Sequence, residues 1–157
     1  MPKIDLPQFP IEGGCVCGAV RYRLNGAPLA AYNCHCTDCQ RASGGNYTVS
    51  LPIPADRVEV ISGEIATFDK PGDSGRVVRM QRCARCGTNM INVPLAAPDT
   101  VIVKAGTLDD PSWLQPVGNI WTDSHHPAVV IDQRLVNFPA QPTDRQPLYD
   151  AWSAALA

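Results

Sequence analysis

Seven cysteines in 157 residues are the side chains here best suited to chemistry. They fall into three clusters. Cys15 and Cys17 form C-x-C, Cys34, Cys36 and Cys39 form C-x-C-x-x-C, and Cys83 and Cys86 form C-x-x-C. An odd number cannot pair completely into internal disulfides. Close spacing suits a metal instead, because zinc takes thiolates tetrahedrally and a structural zinc is closed by four protein ligands. Cys15, Cys17, Cys83 and Cys86 supply those four and would staple an early segment to a late one. Cys34, Cys36 and Cys39 remain. Three protein ligands and an open fourth position distinguish a catalytic zinc from a structural one. The expectation is two zinc ions per chain, with all seven cysteines used.

Gly18 and Gly87 follow the second cysteine of the first and last clusters. A glycine there lets the backbone turn tightly and aim N–H groups at sulfur. The middle cluster has no such glycine until Gly44. Its alternatives are closure by a histidine or use of one cysteine as a nucleophile activated by His35. Strand-like alternation points His35 away from its two neighbours. His125 and His126 lie far along the chain in a Pro-flanked stretch. Arg41, Arg82 and Arg85 stand close to the cysteines, either to offset thiolate charge or as solvated surface residues. Seven thiolates and two Zn²⁺ would take the formal charge from −2 to about −5.

The elements that position these residues read as short strands. Runs rich in Val, Ile or Tyr span 16–24, 29–34, 47–53, 58–61, 65–68, 76–80, 89–93, 101–105 and 128–131, bounded by Gly, Pro, Asn or Asp. Turns are expected at Asn25-Gly26, Ser62-Gly63 and Pro71-Gly72. Helices look short: Thr37 to Ala42, and Pro147 to Leu156 with the proline near its start. Fifteen prolines argue against a helix bundle. The near-balance of 13 basic and 15 acidic residues carries no basic surplus for nucleic acid or an anionic membrane. Met1 to Gly14 holds three prolines and no apolar run, and no stretch is long enough for a membrane helix. The expected compartment is the cytoplasm, where thiols stay reduced.

Three stretches resemble one known family. Gly13-Gly14-Cys15-Val16-Cys17-Gly18-Ala19-Val20-Arg21-Tyr22 is similar to its G-G-C-x-C-G-x-V-R-Y opening. Asn33 to Arg41, followed by Ser43-Gly44, resembles its C-H-C-x-x-C-x-R-x-S-G centre. Arg82-Cys83-Ala84-Arg85-Cys86-Gly87-Thr88 resembles its C-x-x-C-G-T. This is the glutathione-dependent formaldehyde-activating (GFA) family, also called the CENP-V/GFA domain. The resemblance implies a mainly β fold, an Mss4-like β-tent of short antiparallel sheets stapled by zinc with few short helices. It implies the same division of zinc ligands. It divides the chain into an extension at 1–12, a zinc domain at 13–142 and a tail at 143–157. Family members often carry an aromatic where Arg82 stands, a histidine near Asn119, and a Trp near Ala128 and Val129. Those departures bear on substrate and leave the metal motifs intact.

The activity implied is carbon–sulfur lyase chemistry on glutathione and formaldehyde, forming or breaking S-hydroxymethylglutathione. Three thiolates make zinc a weaker Lewis acid than three histidines would, which favours holding a thiol over activating water. Ser43, Gly44 and Asn46 are the expected substrate contacts. A homo-oligomer is compatible with the sequence. The competing class is a non-enzymatic, zinc-stabilised binding module on the same scaffold, with Trp113 and Trp121 as anchors.

Overall fold

The computed structural model describes residues 3–157. Eleven strands, two α-helices and three 3₁₀ turns make up its regular structure. The strands are β1 (Ile11–Gly14), β2 (Arg21–Leu24), β3 (Tyr32–Cys34), β4 (Thr48–Pro54), β5 (Val58–Ser62), β6 (Ile65–Pro71), β7 (Val77–Cys83), β8 (Asn89–Pro94), β9 (Thr100–Lys104), β10 (Gly118–Ile120) and β11 (Val136–Asn137). The helices are α1 (Thr37–Ser43) and α2 (Gln146–Ala155). The fold is mainly β, as the runs of Val, Ile and Tyr imply.

Two sheets form. A small one has the order β1-β2-β5, and a large one runs β11-β10-β3-β4-β9-β8-β7-β6. The centre of the large sheet follows from composition. β9 reads Thr-Val-Ile-Val-Lys and is buried from Val101 to Lys104. β4 beside it buries Leu51 and Ile53 completely. Near-continuous apolar runs of this kind suit strands covered on both faces. Most ladders are antiparallel, but β10 pairs in parallel with both β3 and β11.

Several expected strands shorten. The run at 16–24 pairs only from Arg21, because Cys15 to Gly18 closes a turn in which Gly18 N–H donates to Cys15 O at 3.0 Å. The run at 29–34 pairs in the large sheet only from Tyr32. The strand expected at 128–131 does not form. Pro127 precedes it, Val129 N–H closes a turn onto His126 O, and Val130 is 93% exposed. Conversely, β1, β10 and β11 arise where no apolar run announces a strand.

Both expected helices form. In α1 the Cys36 sulfur caps the N-terminus by accepting Cys39 N–H, and Gly44 caps the C-terminus in the left-handed conformation. α2 carries its proline in the first turn and buries Leu148, Trp152 and Ala155 on one face. Beyond α2, Leu156 forms a bridge with Ile4, and both α2 and Ile4 pack on the main core.

Candidate metal centres

Two groups of cysteines converge. The sulfurs of Cys15, Cys17, Cys83 and Cys86 all lie within 4.8 Å of one another, and so do those of Cys34, Cys36 and Cys39. Cys15 and Cys17 are 3.4 Å apart, Cys17 and Cys83 3.8 Å, Cys34 and Cys36 3.5 Å. A disulfide needs about 2.05 Å. Tetrahedral thiolates about 2.3 Å from zinc stand about 3.8 Å from each other. All seven cysteines are free thiols.

The four-cysteine group is built from two similar turns. Gly18 has φ 78° and Gly87 φ 79°, a conformation open to glycine and costly for other residues. Gly18 N–H donates to Cys15 O, and Gly87 N–H to Cys83 O. Backbone N–H groups also reach the sulfurs: Val20 to Cys15 at 3.2 Å, Arg85 and Cys86 to Cys83 at 3.4 Å each. Such bonds orient the sulfurs and would offset the negative charge of a metal-thiolate group. Thr88 Oγ1 stands 3.2 Å from the Cys86 sulfur and accepts Val16 N–H at 3.2 Å, tying the two turns together. Hydrogen bonding by the Thr88 side chain, then its backbone, pulls the Cys86 thiol down to about 5. Arg82 stacks on the Phe68 ring at 5.9 Å, which occupies its guanidinium.

The three-cysteine group sits where β3 passes into α1. Cys34 ends β3, Cys36 caps α1 and Cys39 lies in its first turn. No histidine or carboxylate joins it among the described residues. Strand register explains what surrounds it. Cys34 is opposite Thr48, and Ser50 is opposite Lys104, so alternation puts all four side chains on one face. Lys104 Nζ lies 3.6 Å from the Cys39 sulfur, 3.3 Å from Thr48 Oγ1 and 3.3 Å from Ser50 Oγ. Hydrogen bonds from Cys34 and Cys36, then the charge of Lys104, hold Cys39 well below the usual thiol range. Cys34 is pushed upward by Cys36, Cys39 and burial.

His35 points the other way, as alternation implies. It is fully buried, and its Nε2 lies 2.9 Å from Asn119 Oδ1. Asn33 also donates to Asn119 Oδ1 at 3.0 Å, and Asn119 Nδ2 donates to Asn137 at 2.8 Å. Asn119 thus ties β3, β10 and β11 together behind the cysteines. His125 and His126 are exposed, and their ring nitrogens contact backbone of their own loop.

The three cysteines open on a cleft of about 1590 Å³ that reaches along the large sheet to Cys86. Its lining includes Ser43, Tyr47, Lys104 and Trp121, and does not include Gly44 or Asn46. Ser43 Oγ donates to Cys39 O and accepts Gly45 N–H, so it is committed to the end of α1. Trp121 adopts φ 61°, the one non-glycine residue with positive φ among the described residues. Trp113 is half-buried and donates to Asp110 O.

These features define a class: a mainly β domain with two cysteine groups able to hold metal ions, one of four sulfurs and one of three. Residues 10–124 match the family described as "Glutathione-dependent formaldehyde-activating enzyme". The chain belongs to that family. It is 30% identical over 103 residues to a Halomonas elongata protein named "Putative glutathione-dependent formaldehyde-activating enzyme", covering 63% of this chain and 66% of that one. The fold is similar to the crystal structure of a Rhodobacter sphaeroides protein, with TM-score 0.52 and 17% identity over 82% of this chain and 99% of that one. No helix is long and apolar enough to cross a membrane among the described residues.

Proposed function

We propose that this chain is a zinc-dependent carbon–sulfur lyase that joins a glutathione-like thiol to a small aldehyde such as formaldehyde, and reverses the reaction. Family membership supports the substrates. The observation that carries the reading is a group of three sulfurs, joined by no fourth Cys, His, Asp or Glu among the described residues, opening on a large cleft.

The all-sulfur donor sets suit zinc. Cys15, Cys17, Cys83 and Cys86 would hold the structural ion, and Cys34, Cys36 and Cys39 the catalytic one. The catalytic zinc would supply a Lewis acid that keeps a thiol, ordinarily with pKa about 8.5, as thiolate at neutral pH. The reaction needs no oxidant. The thiol loses its proton, its sulfur pair forms the C–S bond, the carbonyl π pair moves to oxygen, and oxygen takes up a proton. Arg41, Lys70, Arg76 and Arg145 line the cleft against Asp38 and Asp73. That cationic excess complements the two carboxylates of glutathione. Ser43, on the cleft, is the best placed of the three expected contacts. The reading places the enzyme in the cytoplasm.

The test is exchange spectroscopy with ¹³C-formaldehyde and glutathione. The zinc-loaded protein should speed interconversion of the free aldehyde and S-hydroxymethylglutathione above the spontaneous rate. An unchanged exchange rate at saturating zinc would reject the enzyme reading in favour of a binding module.

A further inference from the structure

Lys104 is a buried cation without a carboxylate. It is 7% exposed, and no Asp or Glu lies within ion-pair distance of it among the described residues. A buried ammonium needs both hydrogen bonds and a counter-charge. Thr48 and Ser50 supply neutral acceptors. The nearest anionic partner is the Cys39 sulfur at 3.6 Å. The strand register that sets Lys104 opposite Ser50 leaves the ammonium facing the cleft wall beside the cysteines.

We infer that Lys104 is a positioning residue that makes the three-cysteine centre accept an anionic sulfur as its fourth partner. The inference rests on the proposed function and deepens it. Three thiolates around a divalent ion carry a net charge of −1. Lys104 brings the pair to zero. A thiol entering as thiolate, its proton passing to solvent, adds another negative charge. Without the ammonium that charge would join a centre already at −1, in a cleft wall partly shielded from water. With it, the centre returns only to −1. A neutral ligand gains nothing from Lys104. The lysine therefore selects thiolates over water, alcohols and thioethers. Among the described residues the four-cysteine group has no such buried cation, and two of its cysteines are exposed, so solvent screens its charge.

The experiment uses full-length protein loaded with Co²⁺, whose sulfur-to-metal charge-transfer absorption reports each added thiolate. Glutathione and S-methylglutathione are titrated separately, the latter by calorimetry because its sulfur is capped. Lys104→Met should hold two cobalt ions and bind glutathione at least tenfold more weakly, a lower bound well inside what a unit charge contributes at a few ångströms and an effective dielectric of about 20. Binding of S-methylglutathione should stay within twofold. Lys104→Arg should restore most of the glutathione affinity. Equal glutathione affinity in wild type and Lys104→Met would overturn the inference while leaving the proposed function standing. Absence of any wild-type absorption change with glutathione would overturn both. Should Lys104→Met lose cobalt from the three-cysteine group, Lys104→Gln is measured in the same way. Loss from that variant too would make Lys104 a structural prop and overturn the selection role.

Discussion

Cys83 and Cys39 are both buried cysteines within metal-competent groups, yet their settings differ. Cys83 ends β7 and accepts two backbone N–H groups, and its group joins segments 66 residues apart. Cys39 belongs to a group contained in six residues. Cys83→Ser should therefore abolish the cooperative thermal transition followed by circular dichroism. Cys39→Ser should keep that transition within a few degrees, retain one zinc per chain by metal analysis, and lower exchange activity at least 100-fold. Asn119 supports the site from behind. Replacing it with Leu strands the buried His35 Nε2 and the Asn33 amide, at about 1–3 kcal/mol for each group left unsatisfied. Urea denaturation should show a loss of about 2–6 kcal/mol for the two groups together, while zinc content stays at two. The cysteines are legible in the sequence because their ligand spacing is local. The contacts of Lys104 and Asn119 are not, because their partners come from segments that meet only on folding.

At the scale of elements, the clearest strands in the sequence are those with apolar runs, such as β4 and β9. β1 escapes a periodicity reading because Glu12-Gly13-Gly14 looks like a turn; it is held by pairing with β2. β11 has two residues and exists through its parallel partner β10. The Val129-Val130 pair misleads in the opposite direction, since β-propensity counts only where a neighbour covers the strand. α2 is readable from the proline near its start, but its importance is not. Leu148 is fully buried and packs against the Gly118 backbone of β10. Leu148→Ala should cost about 2–5 kcal/mol in denaturant unfolding, the usual range for a buried leucine. A value below 1 kcal/mol would mean that α2 is a dispensable appendage to the large sheet.

For the whole molecule, the proposed assignment divides labour between a four-sulfur group that would hold the fold and a three-sulfur group that would act at the cleft. A crosslink over 66 residues restricts the unfolded chain by about 4 kcal/mol in the chain-entropy treatment, whereas a clip over six residues restricts it by about half as much. Graded chelation should thus release one zinc with far-ultraviolet circular dichroism unchanged, and the second together with unfolding. Simultaneous release with a single transition would contradict the division. The same separation in sequence sets an order of events on the ribosome. The three-sulfur group is complete once Cys39 has been added, whereas the four-sulfur group waits a further 47 residues for Cys86. At synthesis rates of about 5–20 residues per second, the nascent chain offers a three-thiolate metal trap for roughly 2–9 s before the staple can close. On the proposed assignment, the composition of the labile metal pool during that interval would decide which ion meets Cys34, Cys36 and Cys39 first.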